Sequence, residues 1–330
     1  MELKQQVLGI LELNRGNSIS GAKLAEALFV TRSSIWKAIK ALQKDGYDIA
    51  AVTNKGYCLN TRNDIVSAES IHPYLQGEAK NFTLEVHNKV TSTNTIAKEL
   101  AGKGAKEGTV IVAHEQTAGR GRMGRSFYSP TSTGVYFSII LRPTLNLESS
   151  LLITTSIAVA VAKAIESLAD VKAEIKWVND IFVNGKKVCG ILTEASLNCE
   201  NGGLEYAVVG IGINISTNSF PEDIQSVAGS IYTDKPNHTP ITSRLVAEVL
   251  NNIATCLGSL TSKEYLEEYR KRSFLIGQEI LIIRGNTTIP AVAIEIDDKA
   301  QLIVEYSNKE RAVLSSGEVS VRPKYKEKEL

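Results

Sequence analysis

A run of glycines and arginines from Gly119 to Arg125 has the residue types of an anion-binding loop. It reads Gly-Arg-Gly-Arg-Met-Gly-Arg and contains no acidic residue. Arginine side chains pair with phosphate or carboxylate oxygens in bidentate fashion, and glycines let the backbone close around a ligand. The run therefore predicts a loop that binds an anion. A solvated basic loop between two strands is the simpler alternative.

The same run satisfies the spacing of a dinucleotide-binding fingerprint through Gly119, Gly121 and Gly124. That fingerprint needs a helix after the last glycine and an acidic residue about 20 positions further on. Here Gly134 to Leu141 predicts a strand, and no Asp or Glu occurs between Gly124 and Glu148. The sequence argues against a dinucleotide cofactor and favours a flexible arginine loop that joins two strands.

The composition is that of an ordinary globular protein with room for two or three domains. The chain has 330 residues, of which 43% are hydrophobic and 22% charged, and its formal net charge is +1. No uninterrupted apolar stretch approaches the roughly 20 residues of a membrane span, and the N-terminus has no signal-peptide core. We therefore expect a cytoplasmic protein with no membrane partner. A net charge this small gives no general attraction to nucleic acid, so any such binding requires a local patch.

The first 65 residues predict a helix-turn-helix followed by a wing. Apolar residues repeat at helical spacing from Leu3 to Leu11, and a second short helix fits Gly21 to Leu28. Thr31 can cap a third helix, which ends at Gly46. Two short apolar runs on either side of a turn at residues 53–56 then predict a two-stranded wing.

The third helix has the composition of a DNA recognition helix. Residues 1–65 contain nine Lys and Arg against six Asp and Glu. Side chains at the front of such a helix reach base edges and phosphates in the major groove. The predicted DNA contacts are Thr31, Arg32, Ser33, Ser34, Trp36, Lys37 and Lys40. A small helical interaction domain with a solvated basic face is the alternative.

Strand and helix signals alternate after a polar linker at Asn60 to Asp64, and one hairpin is especially clear. Asn184-Gly185 between two apolar runs predicts a two-residue turn, whose register brings Asp180 and Lys187 close together. A lysine on a rigid strand beside an arginine loop would neutralise a carboxylate and a phosphate that approach each other. Asn179 and Asp180 offer oxygen ligands for Mg²⁺ or polar contacts to ATP. The alternative is a surface hairpin with an ordinary ion pair.

Five motifs follow one another along the chain. They are Gly119 to Arg125, Lys176 to Asp180, Lys187 to Glu194, Gly210 to Asn214 and Gly317 to Ser320. Biotin protein ligases carry such motifs in this order, and the chain resembles that family over nearly its whole length. With the helix-turn-helix in front, it resembles the members that are both ligase and biotin operon repressor. It departs from the family pattern at Met123, at Val178 and at Ala228-Gly229-Ser230.

The resemblance implies residues for each ligand. Biotin would be bound by Ser92, Thr93, Asn94, Gln116, Arg120, Gly121, Arg122, Lys187 and Gly190. ATP and the adenylate would be contacted by Arg125, Lys176, Trp177, Asn179, Asp180 and Asn214, and Asp180 would bind Mg²⁺. Trp177 by its residue type fits core packing better than ligand contact. Residues 216–231 would order over the adenylate, and Gly190, Gly210 and Gly212 would keep the pocket floor open.

The resemblance also implies a reaction in two steps. The carboxylate of biotin attacks the α-phosphorus of ATP, which gives biotinyl-5′-adenylate and pyrophosphate. A lysine of biotin carboxyl carrier protein then attacks the acyl group and releases AMP. Lys187 and Arg122 would be the catalytic residues: Lys187 would bridge the biotin carboxylate and the α-phosphate, and Arg122 would retain the mixed anhydride. The adenylate would further act as corepressor for a homodimer on biotin operator DNA.

The fold class expected from this resemblance is α+β with three domains. A winged helix-turn-helix would span residues 1–65, and a mixed-sheet α+β catalytic domain of the biotin/lipoate ligase type residues 66–273. An SH3-like β-barrel would span residues 274–330, where short strand signals separated by turns agree with it. Two other functions stay open at this point: a lipoate ligase, which shares the catalytic fold, and a non-enzymatic regulator that senses a small molecule.

Overall fold

The N-terminal module is a winged helix-turn-helix, as predicted. The structure, a computed structural model, describes residues 2–52, 54–143, 150–197, 203–236, 239–258, 260, 262–315 and 320–323. The module consists of α1 (Leu3–Leu13), α2 (Gly21–Ala27), α3 (Arg32–Lys44) and the antiparallel strands β1 (Ile49–Val52) and β2 (Gly56–Leu59). Buried apolar side chains between Val7 and Leu59 form one core shared by the three helices and the wing.

The polar segment after the wing is hydrogen-bonded to both of its neighbours. On the N-terminal side, the Arg15 guanidinium donates to the carbonyls of Asn60 and Asn63 at 3.1 and 2.6 Å. On the other side, the Asp64 carboxylate accepts from the backbone N–H of Thr242 at 3.0 Å and pairs with Lys235 Nζ at 2.8 Å. The predicted linker therefore connects the two parts of the chain as a bound segment and not as a free tether.

A seven-stranded mixed sheet forms the centre of the protein. Its strands are β3 (Thr83–His87), β4 (Thr109–Ala113), β5 (Gly134–Leu141), β6 (Glu174–Lys176), β7 (Asp180–Val183), β8 (Lys186–Leu197) and β9 (Leu204–Asn214). Their order across the sheet is β3-β4-β5-β9-β8-β7-β6. Only β3 and β4 are parallel, and every other neighbouring pair is antiparallel. The arginine loop joins β4 to β5, so the strand expected in place of a dinucleotide-binding helix is confirmed.

Helices cover both faces of this sheet. The short α4 (Ala68–Ile71) follows the linker, and α5 (Thr93–Gly102) packs through Ala97 and Ala101 on one face. The opposite face is covered by α6 (Ser150–Leu168) and α7 (Ile241–Gly258), and α8 (Tyr265–Arg272) packs against α6. Within the part of the chain that the structure describes, α6 alone is long and apolar enough to span a membrane, but 78% of that stretch is buried. It is a core helix.

The hairpin between β7 and β8 turns at Asn184 and Gly185, as expected. Both residues have left-handed backbone angles, with φ of 51° and 74°, which is the geometry of a two-residue turn that matches the twist of the strands. Gly185 adopts this conformation without steric cost. The turn fixes the register of the hairpin, and Lys187 Nζ lies 2.7 Å from Asp180 Oδ1. The predicted proximity of these two residues is confirmed.

A five-stranded antiparallel sheet follows and agrees with an SH3-like domain. Its strands are β10 (Glu279–Arg284), β11 (Thr287–Ile296), β12 (Leu302–Glu305), β13 (Arg311–Leu314) and β14 (Ser320–Pro323), in the order β13-β12-β11-β10-β14. The indole N–H of Trp177 donates to the carbonyl of Ala300 at 3.0 Å and ties this sheet to the central domain. The first three residues of the predicted motif Gly317 to Ser320 lie outside the described residues.

Candidate active site

The first turn of α5 forms one end of the site. Ser92, at the N-cap, makes no capping hydrogen bond with its side chain. Instead the backbone N–H of Thr93 donates to Gln116 Oε1 at 2.8 Å, and the Thr93 hydroxyl donates to the same oxygen at 3.2 Å. Gln116 Nε2 in turn donates to Ser129 Oγ at 3.0 Å. Because Gln116 follows β4 and Ser129 precedes β5, these bonds connect the helix to both ends of the arginine loop.

Asn94 is held by three strands. Its Oδ1 lies 2.6 Å from Ser138 Oγ of β5, and its Nδ2 donates to Glu194 Oε2 of β8 at 2.9 Å. A Cβ atom on Gly210 of β9 would overlap Asn94 Oδ1. Asn94 is 3% exposed, so its amide orients the pocket wall. A direct contact between Asn94 and biotin stays a prediction.

Glu194 is a site residue to which the sequence analysis gave no role. Besides Asn94, it pairs with Lys98 Nζ at 2.9 Å and with Arg120 Nη1 at 3.4 Å. Partial burial would raise the pKa of its carboxyl, but hydrogen bonds from Asn94 and Lys98 and the positive charge of Lys98 lower it overall. Glu194 therefore carries its negative charge at neutral pH and ties Arg120 of the loop to the sheet.

Two further site residues were missed, and each left a weak signal in the sequence. Ser138 is the lone serine or threonine within the apolar strand Gly134 to Leu141. Phe127 follows the arginine loop, and its ring meets Tyr136 edge-on, with 6.3 Å between ring centroids. Neither signal distinguishes a site residue from a core residue, because the partner strands are not evident from the chain.

The glycine floor corrects one expectation. A Cβ atom on Gly212 would lie 2.5 Å from Phe127 Cε1, and one on Gly190 would lie 3.1 Å from Phe127 Cε2. A Cβ atom on Gly210 would lie closer still to Asn94 Oδ1. The space above Gly210 and Gly212 is thus filled by protein side chains, and the prediction that these glycines leave an open floor is wrong for this conformation. They allow Asn94 and Phe127 to pack directly on the sheet.

Lys187 lies at the other end of the site, beside the segment 216–231. Its Nζ pairs with Asp180 Oδ1, and the two side chains are 29% and 18% exposed. The backbone N–H of Lys187 donates to Val227 O at 2.8 Å, and the N–H of Gly229 donates to Lys187 O at 2.9 Å. Lys186 Nζ donates to Ser226 O at 2.6 Å. The segment expected to cover the adenylate is therefore hydrogen-bonded to Lys187 and to its neighbour Lys186.

The arginine loop reaches the same end. Gly121 N–H donates to Arg125 O at 2.7 Å, and Met123 and Gly124 adopt left-handed angles with φ of 56° and 71°. Arg122 Nη1 donates to Asn179 Oδ1 at 3.1 Å. Burial lowers the pKa of the Arg122 guanidinium, and the nearby Asp180 carboxylate opposes that shift. The loop thus places Arg122 within a short distance of the Lys187–Asp180 pair.

The residues predicted to contact ATP occupy different surroundings. Trp177 is 4% exposed, and its indole N–H is bonded to Ala300, which fits the core-packing interpretation. Lys176 of β6 lies opposite Asp180 of β7 in the sheet register. Asn214 Nδ2 donates to Gly229 O at 3.1 Å, whereas Asn214 Oδ1 is buried and has no hydrogen-bond partner among the described residues. Arg125 is exposed.

The predicted DNA-contact residues share the start and the outer face of α3. Thr31 caps the helix by accepting from Ser34 N–H at 3.2 Å. The exposed members are Thr31, Arg32, Ser33, Trp36, Lys37 and Lys40, and Ser34 is partly buried. Lys40 Nζ lies 6.0 Å from the centroid of the Trp36 ring. The opposite face, from Ile35 to Leu42, is buried in the module core.

Comparison with known proteins identifies both parts of the chain. A model of the Biotin/lipoate A/B protein ligase family matches residues 86–214, and one of the HTH domain matches residues 4–58. The bifunctional ligase/repressor BirA of Bacillus subtilis is 39% identical over 231 residues, 69% of this chain and 70% of that protein. BirA of Escherichia coli is 28% identical over 314 residues, 94% of this chain and 95% of that protein.

Solved structures agree with these matches. The biotin protein ligase from Aquifex aeolicus in complex with biotin and ATP aligns with a TM-score of 0.62 and 27% identity. The alignment covers 73% of this chain and 99% of the Aquifex aeolicus chain. Fold and site together define a ligase domain of the biotin/lipoate type joined to a helix-turn-helix. The chain belongs to the biotin protein ligase family, among its bifunctional ligase/repressor members. The expected enzyme class and fold class are confirmed.

Replacing Gly210 with alanine should disable the site. The added Cβ would overlap Asn94 Oδ1, so Asn94 and the first turn of α5 must shift, and a shift of this kind costs about 100-fold in rate. Steady-state kinetics of biotin-dependent pyrophosphate release measures the loss. Gly102→Ala at the end of α5 is the matched control, because its Cβ would have no neighbour within 4 Å. Equal activity of the two variants would contradict the close packing at Gly210.

Proposed function

We propose that the chain activates biotin with ATP and transfers it to one lysine of a biotin carboxyl carrier protein. One observation carries the proposal: polar groups lie at two ends of one sheet face, the Thr93–Gln116 pair with Asn94 at one end and the Lys187–Asp180 pair at the other. The Phe127 ring lies between them, against Gly190 and Gly212. The neutral donors and acceptors at one end suit the ureido ring of biotin. The cations at the other end suit a carboxylate and a phosphate. The Aquifex aeolicus ligase, whose structure contains biotin and ATP, supports this assignment.

Lys187 acts where the two anions meet. In the structure its ammonium group is held at the sheet face by Asp180 at 2.7 Å, a pair that is partly exposed and therefore weak enough to exchange. Substrate oxygens replace the Asp180 carboxylate on Nζ after a small rotation of the flexible side chain. The lysine then reduces the repulsion between the biotin carboxylate and the α-phosphate, and this electrostatic term is the main source of catalysis.

The proposal includes one Mg²⁺ ion that binds together with ATP. In the described ranges, no group of three or more His, Cys, Asp or Glu side chains is placed to hold a metal ion. Mg²⁺ commonly takes one or two protein carboxylates and completes its coordination with substrate phosphates and water. The partly exposed Asp180 carboxylate fits such a site. The bound ion would neutralise phosphate charge in the same region as Lys187.

The remaining groups retain the intermediate. Arg122, oriented by Asn179, donates to the mixed anhydride, and the buried and unpaired Asn214 Oδ1 accepts a hydrogen bond from the nucleotide. The segment 216–231, docked on Lys187, covers both. No protein nucleophile is needed, because the acceptor lysine attacks the acyl carbon directly and AMP leaves. The site contributes position and charge.

The N-terminal module adds the second function. The basic outer face of α3 binds operator DNA, and biotinyl-5′-adenylate promotes a homodimer that places two such helices on an inverted repeat, as helix-turn-helix dimers do. The repressor relatives support this assignment. We place the protein in the cytoplasm, where the carrier protein and the operator are both accessible.

Lys187→Ala should lose adenylate synthesis. Removal of one electrostatic stabiliser of the reacting oxygens costs about 100-fold to 1,000-fold in rate. The measurement is biotin-dependent pyrophosphate release at saturating ATP. Lys89→Ala is the control, since Lys89 makes a comparable ion pair with Glu115 at 2.7 Å on the surface and should retain full activity. If the rate of pyrophosphate release by Lys187→Ala is within threefold of the wild-type rate, the assigned role is refuted.

Arg122→Gly should still form the adenylate but release it. The variant loses the guanidinium that contacts Asn179, while Lys187 remains, so synthesis continues and the mixed anhydride diffuses into solution. Streptavidin blotting of a mixture of carrier protein and albumin measures the escape as label on albumin. Exclusive labelling of the carrier protein at the wild-type rate would show that Arg122 does not retain the intermediate.

Operator affinity should rise by about tenfold or more when biotin and ATP are both present, a coupling within the usual range for effector-linked sites. A mobility-shift titration on an inverted-repeat duplex, selected by the protein from a random-sequence pool, measures it. Sedimentation velocity follows dimer formation under the same conditions. Lys187→Ala should respond only to added biotinyl-5′-adenylate. An affinity that biotin and ATP leave unchanged in the wild type contradicts the corepressor role.

A further inference from the structure

Phe29 is the most exposed large apolar residue of the helix-turn-helix. It lies in the turn between α2 and α3, and its side chain is 96% exposed. Its backbone adopts the left-handed conformation with φ of 54°. This conformation is unfavourable for residues with a Cβ atom, and glycine or asparagine is the usual choice for it. Phe29 thus combines a strained backbone conformation with an apolar ring that is exposed to water.

The ring has no role in folding the turn. The turn is held by backbone bonds from Phe29 N–H to Glu26 O at 3.2 Å and from Val30 N–H to Ala25 O at 2.9 Å. Its neighbours Leu28 and Val30 pack against the module core, whereas Phe29 points away from it. Asparagine would form the same turn with less strain. Packing within the protein therefore does not account for the phenyl group, whereas contact with a binding partner would.

Exposure alone does not distinguish Phe29 from other surface residues. Leu13, at the end of α1, is 72% exposed in ordinary helical backbone, and single exposed apolar residues are normal on protein surfaces. Phe29 differs because it is also strained and because it directly precedes α3. Leu13 therefore serves as the comparison residue for Phe29.

The position of Phe29 indicates its partner. Two residues separate it from Arg32, where α3 begins, and the N-terminal residues of a recognition helix contact base edges in the major groove. The exposed cations Arg32, Lys37 and Lys40 on α3 suit the phosphates on either side of that groove, although Glu26 of α2 is a nearby exposed acid. Thymine presents a C5-methyl group in the major groove, and phenylalanine is among the side chains that contact it.

We propose that Phe29 is a sequence-reading contact of the repressor, which packs its ring against a thymine methyl group in each operator half-site. The inference rests on the proposed operator binding and deepens it, because it names one base and one chemical group that the protein reads. On binding, the phenyl ring leaves water and contacts the methyl group. The favourable free energy of this contact offsets the conformational cost of the turn.

The test is Phe29→Asn in the full-length protein, with Leu13→Asn as the control. Asparagine tolerates the left-handed turn, so the melting temperature of Phe29→Asn should equal or exceed that of the wild type. Its affinity for the selected duplex, with biotin and ATP present, should fall about tenfold, the usual loss for one base contact. Leu13→Asn should bind like the wild type, and Phe29→Tyr, which keeps the ring, should do so as well. Pyrophosphate release should be unchanged in all three.

A second arm identifies the methyl group. Each thymine of the selected duplex is replaced in turn by deoxyuridine, which lacks only the methyl. Wild-type protein should lose affinity at one thymine per half-site, and Phe29→Asn should be indifferent to that replacement. Three results would overturn the contact. The first is equal affinity of Phe29→Asn and wild type for the selected duplex, and the second is an equal loss of Phe29→Asn affinity on selected and random duplexes. The third is a wild-type affinity that no deoxyuridine replacement lowers. A lower melting temperature of Phe29→Asn would overturn the claim that the ring has no folding role.

The two levels of the proposal fail separately. If the wild type selects no duplex from the random pool, operator binding itself is wrong and the Phe29 contact falls with it. If a duplex is selected and Phe29→Asn binds it as tightly as the wild type, only the Phe29 contact is wrong.

Discussion

The site depends on the missing side chains at Gly210 and Gly212. Because these two positions of β9 carry no Cβ atom, Asn94 and the Phe127 ring pack directly on the sheet. Asn94 fixes the first turn of α5, and Phe127 fixes the exit of the arginine loop. Any larger residue at position 210 or 212 would move α5 and the arginine loop away from the sheet. The contacts from Thr93 to Gln116 and from Arg122 to Asn179 are made in this arrangement.

The charged groups of the site are paired with carboxylates of the protein itself. Lys187 is paired with Asp180, and Arg120 with Glu194. The Lys187 and Arg120 side chains are partly exposed, so each pair is weak and can exchange its carboxylate for a substrate anion. These pairs orient the cations, so the proposed reaction would require little reorganisation when charge develops. Arg122 is oriented by the side-chain amide of Asn179, to which it donates at 3.1 Å.

The two halves of the protein meet at a hydrogen-bonded connection. Arg15 holds the carbonyls of the segment after the wing, and Asp64 at the end of that segment binds Lys235 and the start of α7. Lys235 follows closely on the segment 216–231 beside Lys187. The segment expected to cover the adenylate is thus close in sequence to Lys235, and Lys235 is paired with Asp64 at the end of the connection to the helix-turn-helix.

Local spacing in the sequence determined most of the elements. Apolar periodicity and a capping residue predicted α1 to α3, apolar runs predicted the strands around the arginine loop, and Asn184-Gly185 predicted the hairpin that pairs Lys187 with Asp180. Recognition of the motifs supplied the reaction. Tertiary structure alone decided that Ser138, Glu194 and Phe127 belong to the site and that the glycine strip is filled. These residues come together through the strand order β4-β5-β9-β8, and that order depends on pairing between distant segments, which spacing along the chain does not record.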